Sequence, residues 1–517
     1  MQVPTRNHRW TLFLVVGALV CATADARADE VDRIREKAGE LHRDLVSAQF
    51  QYAEGKESNL SRVYKNFDYL LKDSKTRTLS DAAAAASDPA VKSRLQRLHD
   101  YLMGERIFSA VAGAWDNAKN YDRSAAMTVA GVDGELTLSS YESMLAREEN
   151  RSNRRNLYLA SRDLRENSNV FLLNLAIDLD RQAQQLVGKD YDTFLAERYG
   201  IDPAEIETLA QQILESTQAE YERLLGAVVP AAMPEMTVSD LREYDIPYLL
   251  RMPHLSEAFP AGEQKEVAQR WLADLGFDLK GARNLKIVDE ARAGGPEPGT
   301  FAIGNGSDTR IAVPQLGGVS DYWILFGQLG SGLFHYHIAP ALELADAKIG
   351  SPVLPLLYGA LFQDVLTIPE WREKYLKGGE PAQIEAALQF RHLLELRDAA
   401  GRYLFYRKIY GDSTTPPSAY TETMHRARLW HQGATEESNY LLADDQHRSG
   451  MKLLAAVRAA QLRAKLAEQF GDAWWSRPEA GAWLKAEWSK GFSRSPRDLM
   501  NAWGLGAADA SALVAPR

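Results

Sequence analysis

The sequence contains a single cysteine, Cys21, which lies close to the amino terminus beside a run of apolar residues. A disulfide needs two cysteines, so none can form within one chain. Thiolate catalysis, iron–sulfur clusters and cysteine-type zinc sites are equally excluded for the chain beyond Cys21. Stability must therefore come from a large apolar core, which a chain of 517 residues is long enough to bury.

The chain also lacks an excess of positive charge. The chain has 60 Lys and Arg residues against 70 Asp and Glu residues, which gives a formal net charge of −10 at pH 7. Nucleic acids and anionic membranes attract proteins with an excess of basic residues, so we expect neither as a general partner. The sequence does not indicate an oligomeric state.

The apolar run Trp10–Val20 is too short to span a bilayer. It follows the basic residues Arg6 and Arg9 and precedes Ala26-Arg27-Ala28, which is the pattern of a secretory signal peptide with its cleavage site. We expect cleavage near Ala28, a periplasmic or secreted protein, and no membrane contact after cleavage. An uncleaved amino-terminal anchor is the alternative.

Apolar residues recur at helical spacing through most of the chain. Near the amino terminus the spacing of three and four residues links Val31, Ile34, Ala38, Leu41 and Leu45. This pattern predicts a mostly α-helical protein. We find no internal repeat and no clear linker.

The pattern changes between residues 284 and 316. Short strands are predicted at Leu285–Val288, Thr300–Ile303 and Arg310–Val313, separated by turns rich in glycine and proline. Gln315-Leu-Gly-Gly318 then leads into an apolar helix over Asp321–His337. A small sheet and one apolar helix therefore follow each other in the middle of the chain.

The sequence of this helix, DYWILFGQLGSGLFHYH, resembles the active-site helix of the zinc metallo-oligopeptidases. The family in question is that of oligoendopeptidase F and thimet oligopeptidase, distantly related to angiotensin-converting enzyme. Tyr244–Tyr248 and the segment Phe470–Gly481 are similar to further family motifs. We expect the late tryptophans to be packing residues: Trp474, Trp475, Trp483 and Trp488.

The resemblance implies a zincin-type oligopeptidase fold, in which two helical halves enclose a deep cleft and a small β-sheet forms part of one wall. In the family, the edge strand of that sheet lines the peptide cleft, where main-chain hydrogen bonds can hold an extended peptide. The implied organisation is a signal peptide over residues 1–28, a helical region over 29–150 and a peptidase-like domain over 151–517.

In the family, the core of this helix reads His-Glu-x-x-His: the two histidines bind zinc and the glutamate acts as general base. The matching residues here are Gly327, Gln328 and Ser331 at the three functional positions. Glycine has no ligand atom, an amide cannot take up a proton, and a serine hydroxyl is a poor zinc ligand beside imidazole. The zinc-binding motif is therefore degenerate.

Two further family positions have also changed. The third zinc ligand is a glutamate on the next helix, and its matching position falls at Pro355–Leu356. The tyrosine that stabilises the oxyanion is matched, in a looser alignment, by Lys452. The resemblance therefore implies no catalytic residues at these positions and no zinc cofactor.

A relocated metal site is the alternative. His335 and His337 lie two residues apart, which points them about 200° from each other on a helix, so they cannot chelate one ion together. Other oxygen and nitrogen donors show no ligand spacing; they are Glu343, Asp346, His425, His431 and His447. Asp444-Asp445 resembles a carboxylate pair, but a cap or an exposed turn is the simpler interpretation.

We therefore expect a secreted pseudopeptidase that binds a peptide or protein partner in its cleft. Its alternatives are a hydrolase with a non-standard metal site and a periplasmic structural scaffold. The side chains predicted to line the cleft are Gln328, Ser331, His335, His337, Arg310 and Tyr358. Convergence of His335, Glu343 or His425 would favour the hydrolase, and a cleft filled by the chain itself would favour the scaffold.

Overall fold

The computed structural model describes residues 9–289, 297–304, 306–411, 417–440 and 447–514, with side chains described from residue 28 onward except those of 410, 411 and 514. Helices dominate these ranges, as the apolar spacing predicts. Among the helices of the described ranges, none has both the length and the apolar character that a membrane crossing requires.

The amino-terminal part forms a bundle of helices. They are α1 (Arg9–Ala53), α2 (Leu60–Asn66), α3 (Asp73–Ala85), α4 (Pro89–Ser109) and α5 (Ala112–Ser124). The stripe predicted from Val31 to Leu45 is buried against α2, α3 and α4. Helix α1 runs without a break through the predicted cleavage point near Ala28, and the cleavage itself stays a prediction.

A short hairpin, absent from our sequence prediction, precedes the next helices. Its strands are β1 (Met127–Thr128) and β2 (Glu135–Leu136), which pair antiparallel. The helices that follow are α6 (Leu138–Arg147), α7 (Arg151–Ala160), α8 (Arg162–Val187), α9 (Tyr191–Tyr199), α10 (Pro203–Ser216), α11 (Gln218–Ala232), α12 (Ile246–Arg251) and α13 (Gln264–Asp274). Their ends follow local chemistry: α10 begins where the Asp202 carboxylate accepts a hydrogen bond from the backbone N–H of Ala204.

All three strands predicted between residues 284 and 316 are present. They are β3 (Leu285–Val288), β4 (Gly299–Gly304) and β5 (Asp308–Ala312), in the order β3-β5-β4, with β3 parallel and β4 antiparallel to the central β5. Strand β4 is therefore an edge strand of the sheet. The predicted turn between β3 and β4 lies partly outside the described residues.

Helix α1 packs against this edge strand. The Phe50 ring meets the Phe301 ring edge-on with centroids 5.4 Å apart, and the backbone N–H of Glu297 donates to the Ala53 carbonyl at 3.2 Å. The strand expected to face a peptide is thus in contact with the amino-terminal bundle along part of its length.

The remaining helices complete the second half of the molecule. They are α14 (Val319–His337), α15 (Leu344–Ala347), α16 (Val353–Asp364), α17 (Pro369–Tyr375), α18 (Pro381–Gly411), α19 (Ser418–Arg428), α20 (Arg448–Phe470), α21 (Pro478–Trp488), α22 (Pro496–Ala502) and α23 (Ser511–Val514). The helix predicted over Asp321–His337 is therefore confirmed as α14.

The largest apolar cluster surrounds α14 and α16. Trp271 stacks on Phe326 at 5.1 Å and meets Phe362 edge-on at 4.9 Å. Of the four late tryptophans, Trp474, Trp475 and Trp488 are buried, while Trp483 packs against the cluster and is partly exposed. The packing role predicted for them agrees with this burial.

The proposed division at residues 150 and 151 falls in the connection between α6 and α7. Apolar clusters contain residues from both sides of it, such as Leu145 with Leu157 and Ile107 with Leu175. The division into a helical region and a peptidase-like domain therefore stays a prediction.

Candidate functional site

Helices α14 and α16 cross at the positions where the resemblance expects the metal centre, and glycines let their backbones touch. A Cβ atom on Gly330 would lie well under 3.0 Å from the Tyr358 carbonyl oxygen, and one on Gly359 would lie 2.8 Å from the Gly327 carbonyl oxygen. Backbone atoms cannot move aside as a flexible side chain can, so both positions accept only glycine without a shift of the helices.

The polar side chains at this crossing are hydrogen-bonded to neighbouring chain segments. The Ser331 hydroxyl donates to the Pro355 carbonyl oxygen at 2.7 Å, and the Gln328 side-chain oxygen accepts from the Thr300 hydroxyl at 2.9 Å. Ser331 thereby fastens α14 to α16, and Gln328 fastens α14 to the edge strand β4. These bonds satisfy polar groups that would be costly to bury alone.

The first ligand position, Gly327, faces an amide. A Cβ atom there would lie 2.7 Å from Nε2 of Gln363, which itself donates to the Trp323 carbonyl oxygen at 3.2 Å. The space that an imidazole would need at residue 327 is therefore filled by the Gln363 side chain. The residues present do not fit zinc, because they offer neither imidazole nor carboxylate and the two helices are in backbone contact.

Leu356 and Lys452, the other two assigned positions, lie in different surroundings. Leu356 is partly buried and packs against the main apolar cluster. The Lys452 side chain on α20 is reached by water, yet burial, followed by the nearby charge of Arg448, lowers its pKa. Because the Lys452 side chain is reached by water and is also surrounded by protein atoms, we place it in a recess of the surface.

Glu142 of α6 lies near the same charged residues as Lys452. It is also reached by water, and burial raises its pKa, with Arg402 opposing and Asp398 reinforcing the rise. The same Asp398 and Arg402 pair acts on Lys452, and their side chains are joined by an ion pair of 2.7 Å. Lys452 therefore lies in a charged recess near Asp398 and Arg402 of α18.

The two histidines at the end of α14 have separate environments. Burial first, then the charge of Lys348 and the neighbouring His42, lowers the pKa of His335 to about 3. His337 packs against Trp488, and burial lowers its pKa to about 4. Both imidazoles are therefore neutral at neutral pH, and they do not meet.

The remaining predicted cleft residues serve the fold. Tyr358 is buried and stacks on Phe334 with ring centroids 5.3 Å apart. Arg310 pairs with Asp308 at 2.8 Å and lies over the Phe50 ring at 4.7 Å, so it joins the sheet to α1.

The residues considered for a relocated metal do not converge. Glu343 and Asp346 form ion pairs with Arg94 and Arg97, respectively, in the amino-terminal half of α4. His425 contacts the Trp430 carbonyl oxygen, His431 is exposed, and His447 pairs with Asp192 at 2.7 Å. Within the described ranges, no group of three or more His, Cys, Asp or Glu side chains could hold a metal ion. Asp444 and Asp445 lie outside the described residues.

A cavity that the sequence prediction missed lies between the amino-terminal bundle and the second half of the molecule. We call it the interhelical cavity; it has a volume of about 530 Å³ and is lined by α1, α2, α4, α9 and the segments 348–352 and 492–498. Gly327, Gln328, Ser331 and Leu356 do not belong to its wall. The sequence signal for it was Gly104, an isolated glycine within the helical pattern of α4.

The wall of this cavity is rich in tyrosine and carries charges of both signs. Its tyrosines are Tyr64, Tyr101, Tyr191 and Tyr199. Its acidic residues are Asp100, Glu105, Glu197 and Asp498, and its basic residues include Arg97, Arg198, Lys348 and Arg494. A volume of about 530 Å³ is within the range of small-ligand sites, although the wall is more highly charged than most such sites.

The fold is similar to those of solved metallopeptidases. M32 carboxypeptidase from Deinococcus radiodurans has a TM-score of 0.60 at 13% identity, covering 95% of this chain and 97% of that chain. PZ peptidase A, solved with an inhibitor, has a TM-score of 0.65 at 13% identity, covering 94% of each chain. An oligoendopeptidase F-like protein from Bacillus anthracis has a TM-score of 0.63 at 14% identity, covering 89% of this chain and 85% of that chain.

No family model and no curated protein matches the sequence. The structural likeness extends over nearly the whole chain, and at this level of identity it shows the fold alone. The predicted mostly α-helical, zincin-type oligopeptidase fold is therefore confirmed.

Proposed function

We propose that this protein is a pseudopeptidase: a protein with the metallopeptidase fold that binds a peptide or protein ligand in the interhelical cavity and does not hydrolyse it. The observation that carries the proposal is the glycine-mediated contact of α14 and α16, because a side chain at Gly327 would meet Gln363 and one at Gly330 or Gly359 would meet the backbone of the facing helix. Peptide binding is supported by the interhelical cavity, whose mixed charges suit the amines, carboxylates and amides of a peptide.

The loss of hydrolysis is tested by metal content and activity together. Purified protein is dialysed against trace zinc, analysed by elemental mass spectrometry, and assayed with internally quenched peptides beside a zinc peptidase treated identically. We expect substoichiometric zinc and no cleavage. Stoichiometric zinc that survives dialysis, or cleavage that a chelator abolishes, would overturn the proposal.

We also propose a periplasmic or secreted location. The basic, apolar and small-residue segments of residues 1–28 support it. Amino-terminal sequencing of the protein from a cell envelope fraction is expected to begin at Asp29. A protein recovered with residues 10–20 intact in the membrane fraction would show an uncleaved anchor instead.

A structural scaffold is the second candidate function, and one observation favours it. Helix α1 packs against the edge strand β4 through Phe50 and Phe301, so part of the surface expected to bind peptide is covered by the chain itself. Hydrogen–deuterium exchange with and without peptide separates the two functions. Protection along the wall of the interhelical cavity supports the pseudopeptidase, and peptide-independent exchange supports the scaffold.

A further inference from the structure

Two hydroxyl groups in the wall of the interhelical cavity have no hydrogen-bond partner within the described part of the chain. They are the Tyr101 and Ser351 hydroxyls, on residues that are 4% and 6% exposed and that both line the cavity. Buried hydroxyls are normally hydrogen-bonded, so an unpaired one in a cavity wall offers a hydrogen bond to a ligand that enters the cavity.

Arg198 also lines the cavity, and its guanidinium lies against the backbone of Gly104, where there is no side chain. The Arg198 guanidinium fills the position where Gly104 would carry a side chain, since a Cβ atom there would lie well under 3.0 Å from an Arg198 nitrogen. Glycine inside a helix costs about 1 kcal/mol relative to alanine. The cost of having glycine at residue 104 is explained if the Arg198 guanidinium must lie against the backbone of α4 there.

The guanidinium has more donors than the cavity wall uses. It lies 5.5 Å from the centroids of both the Tyr101 and Tyr199 rings, and it contacts the Glu105 carboxylate at 3.5 Å, the long end of the hydrogen-bond range. The other Glu105 oxygen accepts a strong bond of 2.6 Å from the Tyr64 hydroxyl. Because a guanidinium carries five N–H donors, most of its capacity is left for a further acceptor.

A second cation faces the cavity from the other half of the molecule. The Lys348 ammonium donates to the carbonyl oxygens of Ala302 and Gly304 at 2.9 and 3.0 Å, which leaves one of its three donors. His42 lies close to both cations: burial first, then Lys348 and Arg198, lowers its pKa to about 3. Arg198, Lys348 and His42 therefore lie in the same part of the cavity wall.

We propose that the interhelical cavity binds a carboxylate group of a peptide ligand, held by Arg198 and Lys348 and completed by the hydroxyls of Tyr101 and Ser351. Carboxylate geometry matches the paired donors of a guanidinium, and hydroxyl donors complete its remaining lone pairs. The proposal rests on the peptide-binding function above and adds the chemistry that selects the ligand. The carboxylate is supplied either by a peptide carboxyl terminus or by an Asp or Glu side chain.

Equilibrium dialysis with four tripeptide pools, read by mass spectrometry, tests this inference. The pools carry free or amidated carboxyl termini, each with or without Asp and Glu. We expect wild-type protein to retain pools with a carboxylate at least tenfold more than the amidated pool without acidic residues. Preference for the free acids identifies the carboxyl terminus as the source, and preference for acidic residues identifies the side chain.

Variants separate the site from general effects on folding. R198Q removes the charge, and G104A leaves Arg198 in the sequence but occupies its place in the cavity wall. We expect each to reduce retention roughly tenfold. The matched controls are R223Q and G226A on α11, since Arg223 is exposed and a side chain at Gly226 meets open space. Thermal midpoints verify that every variant is folded.

The outcomes distinguish this inference from the proposed function. If all four pools are retained equally, peptide binding stands and the carboxylate site is wrong. If carboxylate-bearing pools are preferred but G104A and R198Q retain them as the wild type does, the site lies elsewhere and the inference is again overturned. If no pool is retained, both the inference and the proposed peptide binding fail.

Discussion

The crossing of α14 and α16 and the interhelical cavity differ in packing. The crossing is closely packed, whereas the cavity leaves an open volume between helices. At the crossing, glycines bring two helices into backbone contact, and the Ser331 and Gln328 side chains bond to the chain itself. In the cavity, charged groups and unpaired hydroxyls remain beside a volume of about 530 Å³. The comparison teaches that the positions expected to be catalytic are packed, while the cavity that we propose for polar ligands lies in a different part of the fold.

The largest expected effect is on the crossing. In G330A the added methyl group meets the Tyr358 carbonyl oxygen, and neither backbone can move without separating α14 from α16. We expect a loss of about 3 kcal/mol or more in the free energy of unfolding, measured by urea denaturation. G226A is the control and should be slightly stabilising. Equal stability of G330A and wild type would show that the helices are not in contact.

Lowering the pH should reduce the free energy of unfolding, because His335 and His42 are partly buried and their pKa values are lowered. Their pKa values are lowered to about 3 in the folded protein, so the unfolded chain binds more protons between pH 6.5 and 3 and stability falls as pH falls through that window. Each histidine contributes a slope of up to about 1.4 kcal/mol per pH unit.

Urea denaturation at pH 6.5 and pH 5 measures this slope before most carboxylates begin to titrate. H335N should reduce the difference in unfolding free energy between the two pH values, because asparagine takes up no proton. H431N is the control, since His431 is exposed and should leave the slope unchanged. The same slope in H335N and wild type would contradict the burial of a neutral imidazole at residue 335.

A smaller effect is expected from the bond between Ser331 and Pro355. S331A removes the hydroxyl donor and leaves a carbonyl oxygen at the helix crossing without it, so we expect a loss of about 1 kcal/mol in unfolding free energy. S489A is the control, because the Ser489 hydroxyl bonds within its own exposed turn. A stabilised S331A would mean that this hydroxyl is retained for a ligand and not for packing.

The smallest effect is expected in the charged recess. K452M removes an ammonium group whose pKa is lowered by burial and by Arg448, while Asp398 and Glu395 partly offset that repulsion. Because water reaches the side chain, the unfolding free energy should change by no more than about 0.5 kcal/mol. A larger loss would show that Lys452 has a structural partner, and the recess would then be part of the packed core.

The sequence predicted much of the fold because the apolar residues that a helix or strand buries recur at a spacing typical of that element. Helix α14 and the strands β3 to β5 were expected within a few residues, and the late tryptophans were expected to pack. The β1–β2 hairpin was missed because two-residue strands are too short to show alternation. Arg198 was missed as a site residue because nothing in its neighbours along the chain marks it as different from a surface arginine.

The sequence by itself determined which donors the chain can offer: without His, Glu or Cys at residues 327, 328 and 331, no folding of those positions can supply imidazole, carboxylate or thiolate ligands. Only the tertiary structure decided that Gly330 and Gly359 meet another backbone and that Gly104 makes room for Arg198. The physical reason is that donor chemistry belongs to a residue, whereas contact distances arise between segments far apart in the chain.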